Sequence, residues 1–551
     1  MLRRHHIIRR HLPALLLMLS LSVMGAEREN VLFRGSLQHD GLFALNDKQI
    51  GATTGQFPYQ SNTYLNLMLQ SEWVNAGMRI ETMEVPLPGF DQGFKGSGIG
   101  NLFVQARWRW GKATIGDVYA QYGSGLILRL YEERSLGIDN SLRGAKLELN
   151  PYKGISLEAI AGKQRVYWNC YDKTAWNLDM TKGCVIGANM ELQVDDWSER
   201  MQQKDMQLLI GASWVSKQQP QDTIFYSFSP PLIYNLPRWV GAADARVEFN
   251  YQGWNALVEY AWKANDPSAD NLFSYRRGEA LLLSLSYSRK GMSVIAQLRR
   301  SDNMSFRSDR LERGLAAPLN HLPALATTHT YMLAAHNSYA TQLQGEWGFQ
   351  GELRYSWKKH TPMGGRYGTT ICLNASHLRG TVEGNWWKMS KEPYYTDVHL
   401  ELQKKLAPQW YLNAMYMYQT YNQRVAEGHG SLVRSHIFVA DVKYSLSDKV
   451  QMRAELQYLY SRQDEGQWIY GLYELSLFSD FILSVSDMYN IGGTALATHN
   501  HYYMASFTLQ KLSHRFMLSF GRTREGYNCT GGVCRYVPQQ SGVNLSYNFS
   551  F

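Results

Sequence analysis

The chain has 551 residues, a formal charge of +9, 44% apolar and 19% charged residues, which excludes a wholly disordered polypeptide. A mean hydropathy of −0.36, with no apolar run past the N-terminal segment near the about 18 residues a spanning helix needs, excludes a polytopic helical membrane protein. The 35 tyrosines, 16 tryptophans, 20 phenylalanines and 46 glycines fit an all-β chain that hides a lipid-facing surface by alternation.

At the N-terminus, Arg3, Arg4, Arg9 and Arg10 precede an apolar stretch over 12–24, and Gly25 and Ala26 offer small residues for cleavage. This predicts an export signal over residues 1–26 and a barrel over 27–551. Without those four arginines the charge falls to +5, so the basic balance is not read as a nucleic-acid surface.

Alternation follows along the chain. Val104, Ala106, Trp108 and Trp110 interleave with Gln105, Arg107 and Arg109; Ala245, Val247, Phe249 and Tyr251 with Arg246, Glu248 and Asn250. Val398, Leu400 and Leu402 interleave with Asp397, His399, Glu401 and Gln403; Met452, Ala454, Leu456 and Tyr458 with Arg453, Glu455 and Gln457. Period two is the mark of a strand with one apolar face. These runs of about 10–13 residues exceed the average globular strand of about five or six. They match the roughly 9–11 tilted residues that cross a bilayer.

Connections alternate in length. Short ones are expected near 73, 111, 252, 289–291, 407–408, 447–448, 478–479 and 512. Long ones are expected at 44–61, 86–100, 122–141, 217–239, 264–276, 301–344, 380–393, 422–431, 490–498 and 525–540. Residues 358–367 break the rhythm mildly, and 184–216 are least regular. The pattern predicts an all-β, up-and-down antiparallel transmembrane barrel of about 24 strands, range 20–26, with short periplasmic turns and long outer loops. No N-terminal plug and no periplasmic repeats are expected before Val31.

At the C-terminus, Val543, Leu545, Tyr547, Phe549 and Phe551 alternate with polar residues. Tyr547, Phe549 and Phe551 resemble the terminal signal by which outer-membrane barrels are recognised for insertion. The expected location is the outer membrane of a Gram-negative bacterium. The expected partners are outer-membrane lipid, the machinery that inserts barrels, and other outer-membrane or lipoprotein subunits; no nucleic acid is expected.

The polar strand positions should face the lumen: Arg79 and Glu81, Arg107 and Arg109, Lys146 and Glu148, Arg246 and Glu248, Glu352 and Arg354, Asp397, His399 and Glu401, Arg453 and Glu455. Their mixed signs name no ion. They serve either as a selectivity lining or as ion-paired filler. Arg129, Glu132, Glu133, Arg134, Asp139 and Arg143 crowd one segment around a turn-forming Gly-Ile-Asp-Asn. That segment is a candidate pore constriction or docking loop; if it folds into the lumen, its carboxylates are expected to meet strand arginines such as Arg107 and Arg109. The longest loop, 301–344, carries the apolar run Leu322-Pro-Ala-Leu-Ala and reads as a lid or docking surface.

Five cysteines in an exported chain suggest disulfides. Cys529 and Cys534 frame a turn holding Gly531 and Gly532, and are expected to pair. Cys170 and Cys184 frame an aromatic loop and form a second candidate pair, with Cys372 left alone. No cofactor or metal is expected. No nucleophile elbow, phosphate loop or zinc motif occurs, and His499 and His501 read as surface histidines, so no enzyme is expected. A hydrolase built into the barrel is the least favoured alternative. The leading function is porin-like passage of small solutes; the rival is a structural subunit of an outer-membrane complex.

Several stretches carry a resemblance. They are Tyr131-Glu-Glu-Arg-Ser-Leu-Gly-Ile-Asp-Asn, Leu322-Pro-Ala-Leu with His329-Thr-Tyr, Glu455-Leu-Gln-Tyr-Leu-Tyr with Asp464, Asp487-Met-Tyr-Asn, and the run from Gly521 through the two-cysteine loop to Pro538. Together they resemble a Bacteroidota family of outer-membrane proteins known only as a domain of unknown function. The resemblance implies an outer-membrane barrel and no catalytic residue. It also implies a shared structural or docking role for the charged segment and the two-cysteine loop.

Overall fold

Alternating side chains leave a strand with two unlike faces, and its backbone groups need partners wherever water is absent. Closure of one sheet on itself meets both demands. A computed structural model describes residues 31–55, 57–168 and 178–551; the predicted export signal lies outside the described residues. Twenty-four long strands run antiparallel to their neighbours, from Val31–Ala44 to Gln540–Ser550. The last pairs with the first, Leu37 opposite Phe549 and Gly41 opposite Leu545, and the ring is closed. A short strand, Leu178–Met180, adds to one wall strand at the rim. Among the described residues no helix is long and apolar enough to cross a membrane.

The outer face is apolar and exposed: Leu102, Val104, Ile115, Trp214, Val258, Leu285, Leu400, Phe438, Leu456, Val485 and Phe520 all project from the wall. Aromatic pairs mark its lower edge. Trp254 lies on Tyr287 at 4.6 Å and Trp410 on Tyr444 at 4.5 Å, both beside short turns. An apolar belt edged by aromatics is the surface a bilayer requires. The inner face carries Arg79, Glu81, Arg246, Glu259, Asp397, His399 and Glu455, all buried.

Two connections differ from expectation. Residues 380–393 form no open loop: the strands Thr369–Val382 and Asn385–Lys405 continue past the rim as a hairpin arm around Glu383 and Gly384. On the short-turn side, 194–206 carry a 3-10 turn, Val194–Trp197, and a short helix, Glu199–Gln203. This is the stretch where the sequence is least regular, because a helical turn interrupts period two.

Candidate functional site

Two connections from the long-loop side fold into the interior and pack on the inner wall. The first, 119–141, turns inward after the short strand Gly111–Val118. Its Tyr122, Leu126, Ile127 and Leu128 are fully buried against the inward wall residues Ile160, Val185, Val215, Val240, Ala261 and Leu282. The second, 303–344, packs Met304, Phe306, Leu319 and Leu322 on the same cluster. Further along, its Tyr331, Leu333 and Ala334 reach inward residues of later strands, Met417, Ile437, Val439, Leu459 and Trp468. Inward positions near the rim are apolar because loop residues, not water, face them. The two loops also bond to each other: Asn140 Nδ2 donates to the Pro318 carbonyl at 2.8 Å, and Asn320 Nδ2 to the Leu126 carbonyl at 2.9 Å.

The charged segment seats itself by ion pairs. Arg79, on the strand Val74–Met83, meets Glu81 at 2.7 Å, Glu132 at 2.7 Å and Asp139. Arg165 meets Glu81 and Asp139, each at 2.6 Å. Arg134 binds Glu132 at 2.5 Å, donates to Gln38 at 2.9 Å, and covers the Tyr64 ring at 4.4 Å. Three guanidinium groups thus face three carboxylates, which offsets the cost of burying them. Burial alone would raise the Asp139 carboxyl; Arg165 and Arg79 outweigh it and hold it below the usual carboxylate range.

The other residues of that segment divide. The Arg129 guanidinium lies over the Tyr131 ring at 4.5 Å, and its amide donates to the Leu319 carbonyl at 2.7 Å. Glu133 accepts from the Ser135 hydroxyl at 2.7 Å. Arg143 faces outward, in alternation with the inward Leu142, and pairs with Asp117 at 2.8 Å. Arg107 and Arg109 stand exposed at the short-turn rim. They are not the arginines that meet the carboxylates, because the segment inserts near the opposite rim, at the level of Arg79 and Arg165.

The longer loop is tethered by buried wall cations. Lys217 Nζ donates to the Arg307 carbonyl at 2.7 Å and pairs with Asp266 at 2.8 Å. Lys263 Nζ donates to the Ser305 carbonyl. Arg299 pairs with Glu346, which also accepts from the Tyr339 hydroxyl at 2.7 Å and the Gln342 amide at 2.9 Å. His321 is buried. That burial, with Arg129 and Arg299 nearby, pushes its imidazole down to about 3. Burial likewise pushes His336 well below its ordinary value.

Above both loops, Gly526–Thr530 and Val533–Val537 form a hairpin closed by the Cys529–Cys534 disulfide. Gly531 and Gly532 turn with φ of 58° and 84°, a region that favours glycine. The Gly532 carbonyl accepts from the Thr341 amide at 2.9 Å. A Cβ there would lie 2.6 Å from Thr341 Oγ1 and 2.9 Å from Ala324 Cβ. Cys184 opens the strand Cys184–Gln193; Cys170 lies outside the described residues. Cys372 is buried on the inner wall. Tyr547 and Phe549 lie on the closing strand, and the Phe551 amide donates to the Gly35 carbonyl at 2.9 Å. His501 pairs with Asp487 at 2.7 Å on the exposed side.

Sequence reasoning missed His329, Lys217, Lys263 and Arg165. Asp397 and His399 were legible as inward by alternation, but His329 joins them from a loop 68 residues away, a distance no local spacing encodes.

Over residues 8–551 the chain matches the profile of a family described as a family of unknown function (DUF6029). No curated protein matches it. Among solved structures, the siderophore receptor PirA from Pseudomonas aeruginosa is similar at 11% identity and a TM-score of 0.42, with 95% of this chain and 81% of that one covered. OccK3 (OpdO) from the same organism is similar at 11% identity and a TM-score of 0.36, covering 83% and 96%. A mutant of the ferric enterobactin receptor PfeA, also from Pseudomonas aeruginosa, is similar at 9% identity and a TM-score of 0.37, covering 94% and 80%.

Proposed function

For this chain, which belongs to that family of unknown function, we propose a gated outer-membrane β-barrel that passes small polar solutes when its in-folded loops move. One observation carries the reading: the lumen is closed by two loops held by ion pairs, hydrogen bonds and apolar packing, with no covalent tie to the wall among the described residues. Such contacts are reversible, and loops of this kind open on microsecond-to-second timescales. The wall below them is polar, with Gln105, Glu148, Glu158 and Glu191 facing inward. An outer apolar belt around a polar bore suits a membrane in which solutes cross through the centre.

A second reading has its own support. The buried lumen charges are largely paired within the barrel, Arg246 with Asp244 and Arg453 with Asp441 and Glu455. A permanently sealed scaffold needs that neutrality. On this reading the hairpin arm, with Trp387 76% exposed, presents the docking surface.

Liposome swelling separates the two. Passage predicts slow entry of small sugars through the full chain, and fast entry when residues 305–342 are replaced by a short Gly/Ser linker. Tight liposomes for the full chain at pH 5 as well as pH 8, whatever the lipid composition, would favour the scaffold.

A further inference from the structure

Where the second in-folded loop crosses the inner wall, three side chains converge that neither reading above uses. Asp397 and His399 lie two apart on the strand Asn385–Lys405, and period two turns both inward. His329 comes from the loop. Its Nε2 is 2.5 Å from Asp397 Oδ2, and His399 Nδ1 is 3.0 Å from Asp397 Oδ1. The rings meet edge to face with centroids 4.9 Å apart. The two ring nitrogens and the carboxylate oxygen lie within 4.8 Å of one another, and no side chain of the three is more than 7% exposed.

Asp397 differs from three other buried carboxylates of this interior, each of which faces an arginine or lysine. Glu81 faces Arg79 and Arg165, Glu346 faces Arg299, and Asp266 faces Lys217. The hydrogen-bond partners of Asp397 among the described residues are the two imidazoles and the Tyr395 hydroxyl at 3.5 Å. A buried carboxylate is costly unless a cation accompanies it. Beside it, Asn374 stands opposite His399 in register, and its buried Nδ2 has no hydrogen-bond partner. Period two turns Asn374 to the same inner face as Cys372 and Ser376, all of them buried.

We propose that His329, His399 and Asp397 bind one divalent transition-metal ion of the zinc class, and that the ion fastens the in-folded loop to the wall. Two imidazoles and one carboxylate form a ligand set that zinc and iron(II) both take. To bind, each ring moves its proton to the nitrogen facing away from Asp397, Nδ1 of His329 and Nε2 of His399. The freed nitrogens and one carboxylate oxygen then close on the ion at about 2.0–2.2 Å. The fourth position takes a water, for which the Asn374 amide is a donor. The ion sets a divalent charge against Asp397, whose partners are otherwise two imidazoles and a hydroxyl. Because His329 belongs to the loop and the other two ligands to the wall, binding and loop insertion stabilise each other.

The test is calorimetric titration of zinc ion into the metal-stripped full chain in detergent, beside His329→Gln, His399→Gln and, as a control, His501→Gln. The full chain and the control should bind one equivalent, and each ligand variant should weaken binding by at least about tenfold. Absence of saturable one-to-one binding in the full chain, or undiminished binding in both variants, would overturn the site. His329 is not part of the wall, so His329→Gln remains decisive even if His399→Gln fails to form the barrel. The titration reads no transport, so it stands or falls apart from the passage of solutes.

Discussion

Arg79 concentrates the electrostatics of the first in-folded loop in one side chain, since three carboxylates converge on it: Glu81, Glu132 and Asp139. Removing one partner from a buried network leaves uncompensated charge, typically at a cost of about 3–5 kcal/mol. Arg79→Ala should therefore lower the guanidinium midpoint of the detergent-solubilised barrel, while Arg107→Ala at the exposed rim should leave it within about 0.5 kcal/mol. Equal midpoints for the two variants would contradict the network. Alternation assigned Arg79 and Glu81 to the lumen, and the crowding of charge singled out Glu132, Arg134 and Asp139, so five of the six groups of the network were legible in the sequence. Arg165 was not. It lies 84 residues from Glu81 on another wall strand, a separation that local spacing does not encode. The misassigned Arg107 and Arg109 have the right parity or charge but the wrong height, and height along the barrel axis depends on strand stagger, which period two does not record.

At the scale of elements, the loop 303–344 stakes its closure on buried neutral histidines. His321 titrates at about 3 in place and at 6.5 when exposed. Between those values the released loop binds a proton that the inserted loop does not. Closure is therefore fully stabilised above pH 6.5 and weakens as the pH falls towards 3. At pH 5 the loss from His321 amounts to about 2 kcal/mol, and His336 acts in the same direction. Conductance should rise between pH 8 and pH 5, and His321→Asn should blunt that rise; a flat profile for the unmodified chain would contradict the assignment. The hairpin above it makes a second element-scale prediction. A ring this small stabilises by about 2 kcal/mol through chain entropy. Cys534→Ser should accordingly speed protease cleavage within 524–539, and both thiols of the unmodified hairpin should resist alkylation until reductant is added. The Cys-Thr-Gly-Gly-Val-Cys signal was legible because a tight turn, two glycines and export all favour one local bond. The inward packing of 303–344 was signalled by its apolar run: Leu322 is 2% and Leu325 1% exposed. What it packs against was not signalled, because the apolar inward residues Val215, Ile437 and Val439 break the polar-inside rule only where a loop covers them.

For the whole molecule, the closed ring of 24 strands was countable from alternation and from the rhythm of short and long connections. Both features follow from the bilayer, which dictates strand length and leaves the backbone no unpaired edge. The interior has no comparable rule. The bilayer is indifferent to whether a lumen holds water or folded loops, so the plug had to be seen rather than read. That plug is the central claim, and planar-bilayer recording tests it most directly. The full chain at pH 8 should pass almost no current. Deletion of Glu132 to Asp139 together with replacement of 305–342 by a short linker should give large, stable conductance steps, with either change alone giving intermediate ones. Large steady conductance from the full chain, unaltered by the double change, would contradict a barrel closed by its own loops.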